Sequence, residues 1–432
     1  MKRILYIAAA VLMLAGCSED RAGILKVYNW ADYIDEELID EFEEWYEEET
    51  GESVEIIYQT FDINETMLSK IEFGQEDYDV VCPSDYIIER MLKKDLLLPL
   101  ERDFGSTPDY LDNVGPYIKE KLSQIEGNGK NANDYCVAYM WGTVGLIYNP
   151  KYVSDEETKS WDVLRNPAYA GKVLMKDAFR DVYTAFLVAL NKEALDAGEK
   201  TIETITYDTS EESIALVENY LDSFRDAVCG WEADFGKEQM TKELAWINLS
   251  WSGDAQWAID EAAEIGMDLR YAIPETGSSV WFDGWVIPKY ARNVKAARYF
   301  INFMCKPENA LRNMDMTGYV SAIGGSEILE AISDPEEYEP VDASYFFGPE
   351  ADSVCINQVM YPDSKIIERC GMMHDRGTED LLKMWSRVKG DNASAWTYIL
   401  ICLVLGGLIT AVIIKYTKKA RRRKRYSRRR RK

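Results

Sequence analysis

The chain predicts an α/β fold followed by one C-terminal transmembrane helix, on three observations. Across residues 24–389, short apolar runs alternate with stretches whose apolar residues recur at helical spacing. Most of the apolar runs stop at turn residues or at an aromatic beside an acid. Residues 396–414 then form a run without charge, long enough to cross about 30 Å of hydrocarbon as a helix. The 432 residues, 47 % hydrophobic and 29 % charged, allow two or three globular units and exclude wholesale disorder.

Taken in order, Lys2 and Arg3 followed by the apolar stretch 4–14 read as an export signal. Leu14-Ala15-Gly16-Cys17 looks like a bacterial lipobox, which predicts cleavage after residue 16 and lipidation of Cys17. Ile24-Leu25-Lys26-Val27-Tyr28 is a strand ending at Asn29-Trp30, and Leu38, Phe42, Trp45 and Tyr46 mark a helix stopped by Thr50-Gly51. Residues 54–58 are the next strand, and Met67, Leu68 and Ile71 the next helix. Tyr78-Asp79-Val80-Val81-Cys82 runs as a strand into Pro83-Ser84.

The second half repeats this grammar. Lys172-Val173-Leu174-Met175 leads to Asp177 and Asp181, and residues 244–249 lead to Ser250-Trp251-Ser252-Gly253-Asp254. Val280-Trp281-Phe282-Asp283 precedes a separate apolar strand, Trp285-Val286-Ile287-Pro288. Residues 334–352, rich in Glu, Asp, Pro and Tyr, read as a surface loop. Trp396 and Tyr398 border the apolar run on one side and Lys415, Tyr416, Lys418 and Lys419 on the other, which puts the basic tail 415–432 in the cytoplasm.

The formal charge of −26 hides an asymmetry. Setting aside Lys2, Arg3 and the thirteen Lys/Arg of residues 415–432 leaves 34 basic against 75 acidic residues, a body of −41. Such a surface excludes a nucleic-acid binder. The single histidine, His374, argues against a histidine zinc site and a Ser-His-Asp hydrolase. No phosphate-loop, nucleophile-elbow, H-E-x-x-H or EF-hand pattern occurs, so no metal or cofactor is expected. Cys17 and Cys402 aside, six cysteines permit fifteen pairings, and free thiols fit equally well.

Ligands of open α/β sheets gather beyond the carboxyl ends of strands. There the chain repeatedly sets an aromatic beside an acid: Trp30/Asp32/Tyr33, Asp85/Tyr86, Trp251/Asp254 and Trp281/Asp283. Carboxylates pair with ammonium groups, while ring faces hold cations and methylenes. A linear polyamine alternates those two features. Aromatic boxes also hold sugar rings or other organic cations, and Asp181 with Asp283 could form the acid–base pair of a glycosidase.

Several ordered segments give the resemblance. Tyr28-Asn29-Trp30-Ala31-Asp32-Tyr33-Ile34 looks like the opening motif of bacterial spermidine/putrescine-binding proteins of ABC importers. Asn64-Glu65-Thr66-Met67, Tyr78-Asp79-Val80-Val81 with Pro83-Ser84, and Tyr139-Met140-Trp141-Gly142 resemble further segments of that family. So do Trp251-Ser252-Gly253-Asp254-Ala255, Trp281-Phe282-Asp283 and Thr317-Gly318-Tyr319. The resemblance covers residues 24–389 and implies a two-lobed, periplasmic-binding-protein-like fold of type II, without a catalytic step. Lobe 1 would be 24–141 with 283–329 and lobe 2 142–282 with 330–389, the chain crossing near 141–143 and 281–283.

By resemblance, Trp30, Tyr33, Ser84 and Tyr86 line one side of the cleft, and Trp251, Trp281 and Tyr319 complete an aromatic box. Asp283 would meet an ammonium within the ligand, and Asp181 stands where the family commonly has glutamate. Two departures bear on the chain ends of the ligand. Ala178 replaces a second acid, for which Asp177 can substitute, and Met373 stands where some members have glutamine. The expected partners are a polyamine, the permease subunits of an ABC transporter, and the membrane. A tethered polyamine sensor is the alternative to a courier.

Overall fold

A computed structural model describes residues 21–233 and 235–390. The expected signal 1–16, Cys17, the apolar run 396–414 and the tail 415–432 lie outside the described residues. Among those described, no helix is long and apolar enough to cross a membrane. Contacts divide the chain into one unit ending at Leu381 and a second beginning at Leu382. The fold below belongs to the first.

Eight strands form the backbone of its main sheet. They are β1 (Ile24–Trp30), β2 (Glu55–Phe61), β3 (Val80–Val81), β4 (Cys136–Tyr148), β5 (Val173–Lys176), β6 (Val228–Glu232), β7 (Ile247–Trp251) and β8 (Ser278–Pro288). Their order is β2-β1-β3-β8-β4-β7-β5-β6. β1 pairs in parallel with β2 and β3, and β5 pairs in parallel with β6 and β7. Each half of the sheet is therefore a parallel set with its first strand in the middle.

The two halves are joined by β4 and β8, which run antiparallel to each other. Residues 136–138 of β4 pair with residues 284–286 of β8, which reach β3 through Val286 and Val81. Residues 144–148 of β4 pair with β7 instead. All thirteen residues of β4 are buried, consistent with a strand enclosed on both faces.

Local sequence accounts for the helices that set the site. In α1 (Glu37–Thr50), Leu38, Phe42 and Tyr46 recur every fourth residue and are buried together. Gly51 ends the helix in the left-handed conformation, φ 70°, and its N–H bonds back to the Glu47 carbonyl. Met67, Leu68 and Ile71 form the buried side of α2 (Asn64–Glu72). Beyond Pro83-Ser84 the chain turns directly into α3 (Asp85–Lys93).

Three expectations are corrected. Residues 280–283 and 285–288 belong to a single strand, β8, interrupted by a bulge between Asp283 and Gly284. A Cβ at Gly284 would lie 2.3 Å from Cys136 Sγ, so the close approach of β4 requires glycine there. The strand read at 244–249 begins three residues later, at Ile247. Residues 334–352 are not simply a surface loop. They hold the short helix Ser344–Phe347, whose Phe346 is fully buried and stacks on Trp141 at 5.4 Å. An acidic composition concealed the aromatic run Tyr345-Phe346-Phe347, which anchors the segment. The six described cysteines are free thiols.

Candidate functional site

The β8 bulge delivers Asp283 into the ends of the first parallel set. Its two carboxylate oxygens accept from the Ser84 hydroxyl at 2.6 Å and the Tyr33 hydroxyl at 2.9 Å. Ser84 is itself held by the Asn64 amide, which donates to Oγ at 2.9 Å. Asp283 is 6 % exposed. Burial pushes its carboxyl up to about 7, with the nearby Asp181 charge adding and the two hydroxyls opposing.

Two more acids share this environment. Asp181, in the first turn of α4 (Phe179–Leu190), accepts from Trp251 Nε1 at 3.0 Å. Burial raises it to about 6, against the indole bond and the charges of Arg180 and Lys176. Asp85 opens α3 and accepts from the backbone N–H groups of Tyr86, at 2.5 Å, and Phe282, at 3.3 Å. Burial and then the Asp181 charge push Asp85 well above the carboxylate range.

All three carboxylates are thus held by hydroxyl, indole and amide donors. None of them is in a salt bridge among the described residues. Ionised oxygens in such a place carry a desolvation cost that only a cation can offset well.

Rings enclose the same place edge to face. Trp251 meets Trp281 at 6.1 Å, Trp281 meets Tyr319 at 5.6 Å, and Tyr319 meets Tyr33 at 5.4 Å. Two glycines allow this packing. A Cβ on Gly253 would lie 2.3 Å from the Tyr319 ring, and one on Gly142 2.8 Å from Trp281. The Trp281 indole N–H is buried without a protein acceptor among the described residues. Tyr86 carries the Arg180 guanidinium over its ring at 4.1 Å, so it is engaged between the two halves of the sheet.

Of the expected site residues, Tyr33, Ser84, Asp85, Asp181, Trp251, Trp281, Asp283 and Tyr319 are linked through these contacts, with Tyr86 beside them on Arg180. Trp30 packs on Phe61 at 4.5 Å, at the end of β1. Asp32 is exposed on a turn with φ 50°. Asp177 is exposed just beyond β5, its backbone N–H bonded to the Glu232 carbonyl.

Sequence reasoning missed Asn64 as the support for Ser84 and Lys176 as a charge at the site. Lys176 is 1 % exposed and bonds Asp254, whose other oxygen accepts from Tyr319. The Trp251/Asp254 pairing was the available signal for Asp254. Nothing local signalled Lys176. Among the described residues, no group of three or more His, Cys, Asp or Glu side chains is arranged to hold a metal ion.

Comparison with known proteins gives the following. The family described as bacterial extracellular solute-binding protein matches residues 37–340, and a prokaryotic membrane lipoprotein lipid attachment site matches residues 1–18. The spermidine/putrescine-binding periplasmic protein of Escherichia coli is 25 % identical over 377 residues, covering 87 % of this chain and 94 % of the relative. The putrescine-binding periplasmic protein SpuD of Pseudomonas aeruginosa is 27 % identical over 316 residues, covering 70 % and 79 %. Among solved structures, the spermidine/putrescine transporter substrate-binding protein PotD of Streptococcus pneumoniae, in complex with calcium and HEPES, is 29 % identical. It aligns with a TM-score of 0.63 over 85 % of this chain and 98 % of that one.

Proposed function

The chain belongs to the bacterial extracellular solute-binding proteins, and from that premise we propose that it captures polyamines of the spermidine/putrescine class for delivery to an ABC importer. Its relatives are substrate-binding proteins and not enzymes, so the acids at the site hold a ligand and transform nothing. The observation that carries the reading is the set of three carboxylates, Asp85 and Asp283 buried and Asp181 half-buried, held without an ion pair among the described residues beside a wall of aromatic rings. Ammonium groups of a thin alkyl chain meet the acids, and its methylenes meet the ring faces.

In this reading β4 and β8 are the crossings between two lobes that close on the ligand. Lipid on Cys17 holds the body outside the membrane, and the apolar run 396–414 with its basic tail provides a second tether. A tethered ligand carrier meets its transporter at a raised effective concentration.

A thermal-shift panel on the full chain tests the ligand class. Putrescine and spermidine are expected to raise the melting temperature in a concentration-dependent way, while neutral sugars leave it unchanged. Stabilisation by sugars alone would reject the polyamine reading. The Gly253→Ala variant gives a local check. Its new methyl group displaces the Tyr319 ring, and losing one ring face against a cation weakens polyamine binding by roughly tenfold. Unchanged affinity in calorimetry would remove Tyr319 from the site.

A further inference from the structure

Lys176 closes β5 with its side chain buried among charged and aromatic groups. Its ammonium donates to Asp254 Oδ2 at 2.5 Å and to the backbone carbonyl of Ala233. Glu232 Oε1 lies 3.5 Å away, and the centre of the Trp251 ring 4.2 Å away. Asp254 is also bonded to the Tyr319 hydroxyl at 3.0 Å, and Lys237 approaches it at 3.5 Å. An aromatic face, a buried carboxylate and a ring hydroxyl are the groups that would seat an ammonium of the ligand. Here the chain's own ammonium holds that seat.

We propose that Lys176 is a specificity-determining residue, a resident cation occupying one ammonium position of the aromatic box. The inference rests on the polyamine reading above and names which members of that class the site favours. With Lys176 against one face of Trp251, ligand ammonium groups are confined to Asp283, Asp181 and Asp85. A further ammonium on a longer ligand meets a like charge at Trp251 instead of a free carboxylate. The site therefore discriminates against polyamines with more than three ammonium groups, and the discrimination lies in an introduced repulsion as well as in the attractive contacts.

The test is calorimetric titration of the full chain and three variants with spermidine and spermine. Lys176→Met removes the charge while keeping an unbranched side chain, and exposes Asp254 and Glu232 to the ligand. The spermine-to-spermidine affinity ratio is expected to rise by about tenfold. Lys176→Arg keeps the charge and is expected to keep the ratio within about twofold. Asp254→Asn leaves Lys176 less neutralised and is expected to move the ratio severalfold the other way. Opposite shifts in two variants cannot come from a general loss of folding, so Asp254→Asn keeps the test decisive if Lys176→Met does not fold. A wild-type chain that binds polyamines but shows no ratio change in Lys176→Met or Asp254→Asn would overturn this inference alone. A wild-type chain that binds no polyamine would overturn the underlying reading as well.

Discussion

The Asp283→Asn variant is expected to bind spermidine and putrescine roughly 100-fold more weakly than the wild-type chain. Asparagine preserves the shape of a group held by Ser84 and Tyr33 at 2.6 and 2.9 Å, its Oδ1 accepting from one hydroxyl and its Nδ2 donating to the oxygen of the other. What it removes is the charge opposite a ligand ammonium in a dry site. Deleting one partner of a buried, hydrogen-bonded charge pair costs about 2–5 kcal/mol, and each 1.4 kcal/mol is tenfold in affinity. The empty variant should be no less stable than wild type, because a carboxylate that burial disfavours has been replaced by a neutral amide. Weak binding with an unchanged or raised melting temperature, read by calorimetry and thermal denaturation, separates loss of a ligand contact from loss of fold. Equal affinities would take Asp283 out of the site.

Polyamine affinity is also expected to climb steeply with pH. In the empty protein, burial holds Asp283 up at about 7 and Asp181 at about 6. A cationic ligand binds the ionised forms, so below these values each acid must first release its proton. If both ionise on binding, affinity falls on the order of a thousandfold between about pH 8 and pH 5, then levels off above 7. Calorimetry in buffers of different ionisation enthalpy should register protons released into solution near pH 6.

The sign for folding is the reverse. Carboxyls raised in the folded state favour the protonated protein, so their stabilising contribution is complete below the unfolded carboxylate pKa and disappears as pH rises through 6 and 7. Stabilisation by the ligand should accordingly grow from pH 5 to pH 8. A flat affinity profile over this range would mean that neither acid meets the ligand's charge.

Much of this site could be read before the structure because strand ends are local features. The apolar runs before Ser84 and Trp251, and the Trp281-Phe282-Asp283 step, announce both the strand and the chemistry at its end. Helical spacing located α1 and α2 equally well, through Leu38, Phe42 and Tyr46, and through Met67, Leu68 and Ile71. What stayed hidden depends on partners distant in sequence. Lys176 follows an apolar run, and its partner Asp254 lies 78 residues away. The β8 bulge is set by the approach of Cys136 to Gly284, which no pattern within 278–288 records. Phe346 looked like part of an acidic loop because its burial depends on Trp141, far earlier in the chain. Trp30 packs on Phe61, its register partner in the neighbouring strand, a contact that the motif does not specify.

Calorimetric titration of the full chain with putrescine, spermidine and spermine at about pH 8 tests most directly whether Asp85, Asp181 and Asp283, in no ion pair among the described residues, are seats for ammonium groups. The expected result is saturable binding of at least one polyamine at one site per chain, weakened about 100-fold by Asp283→Asn. Absence of saturable heat and of thermal stabilisation with all three ligands would contradict it.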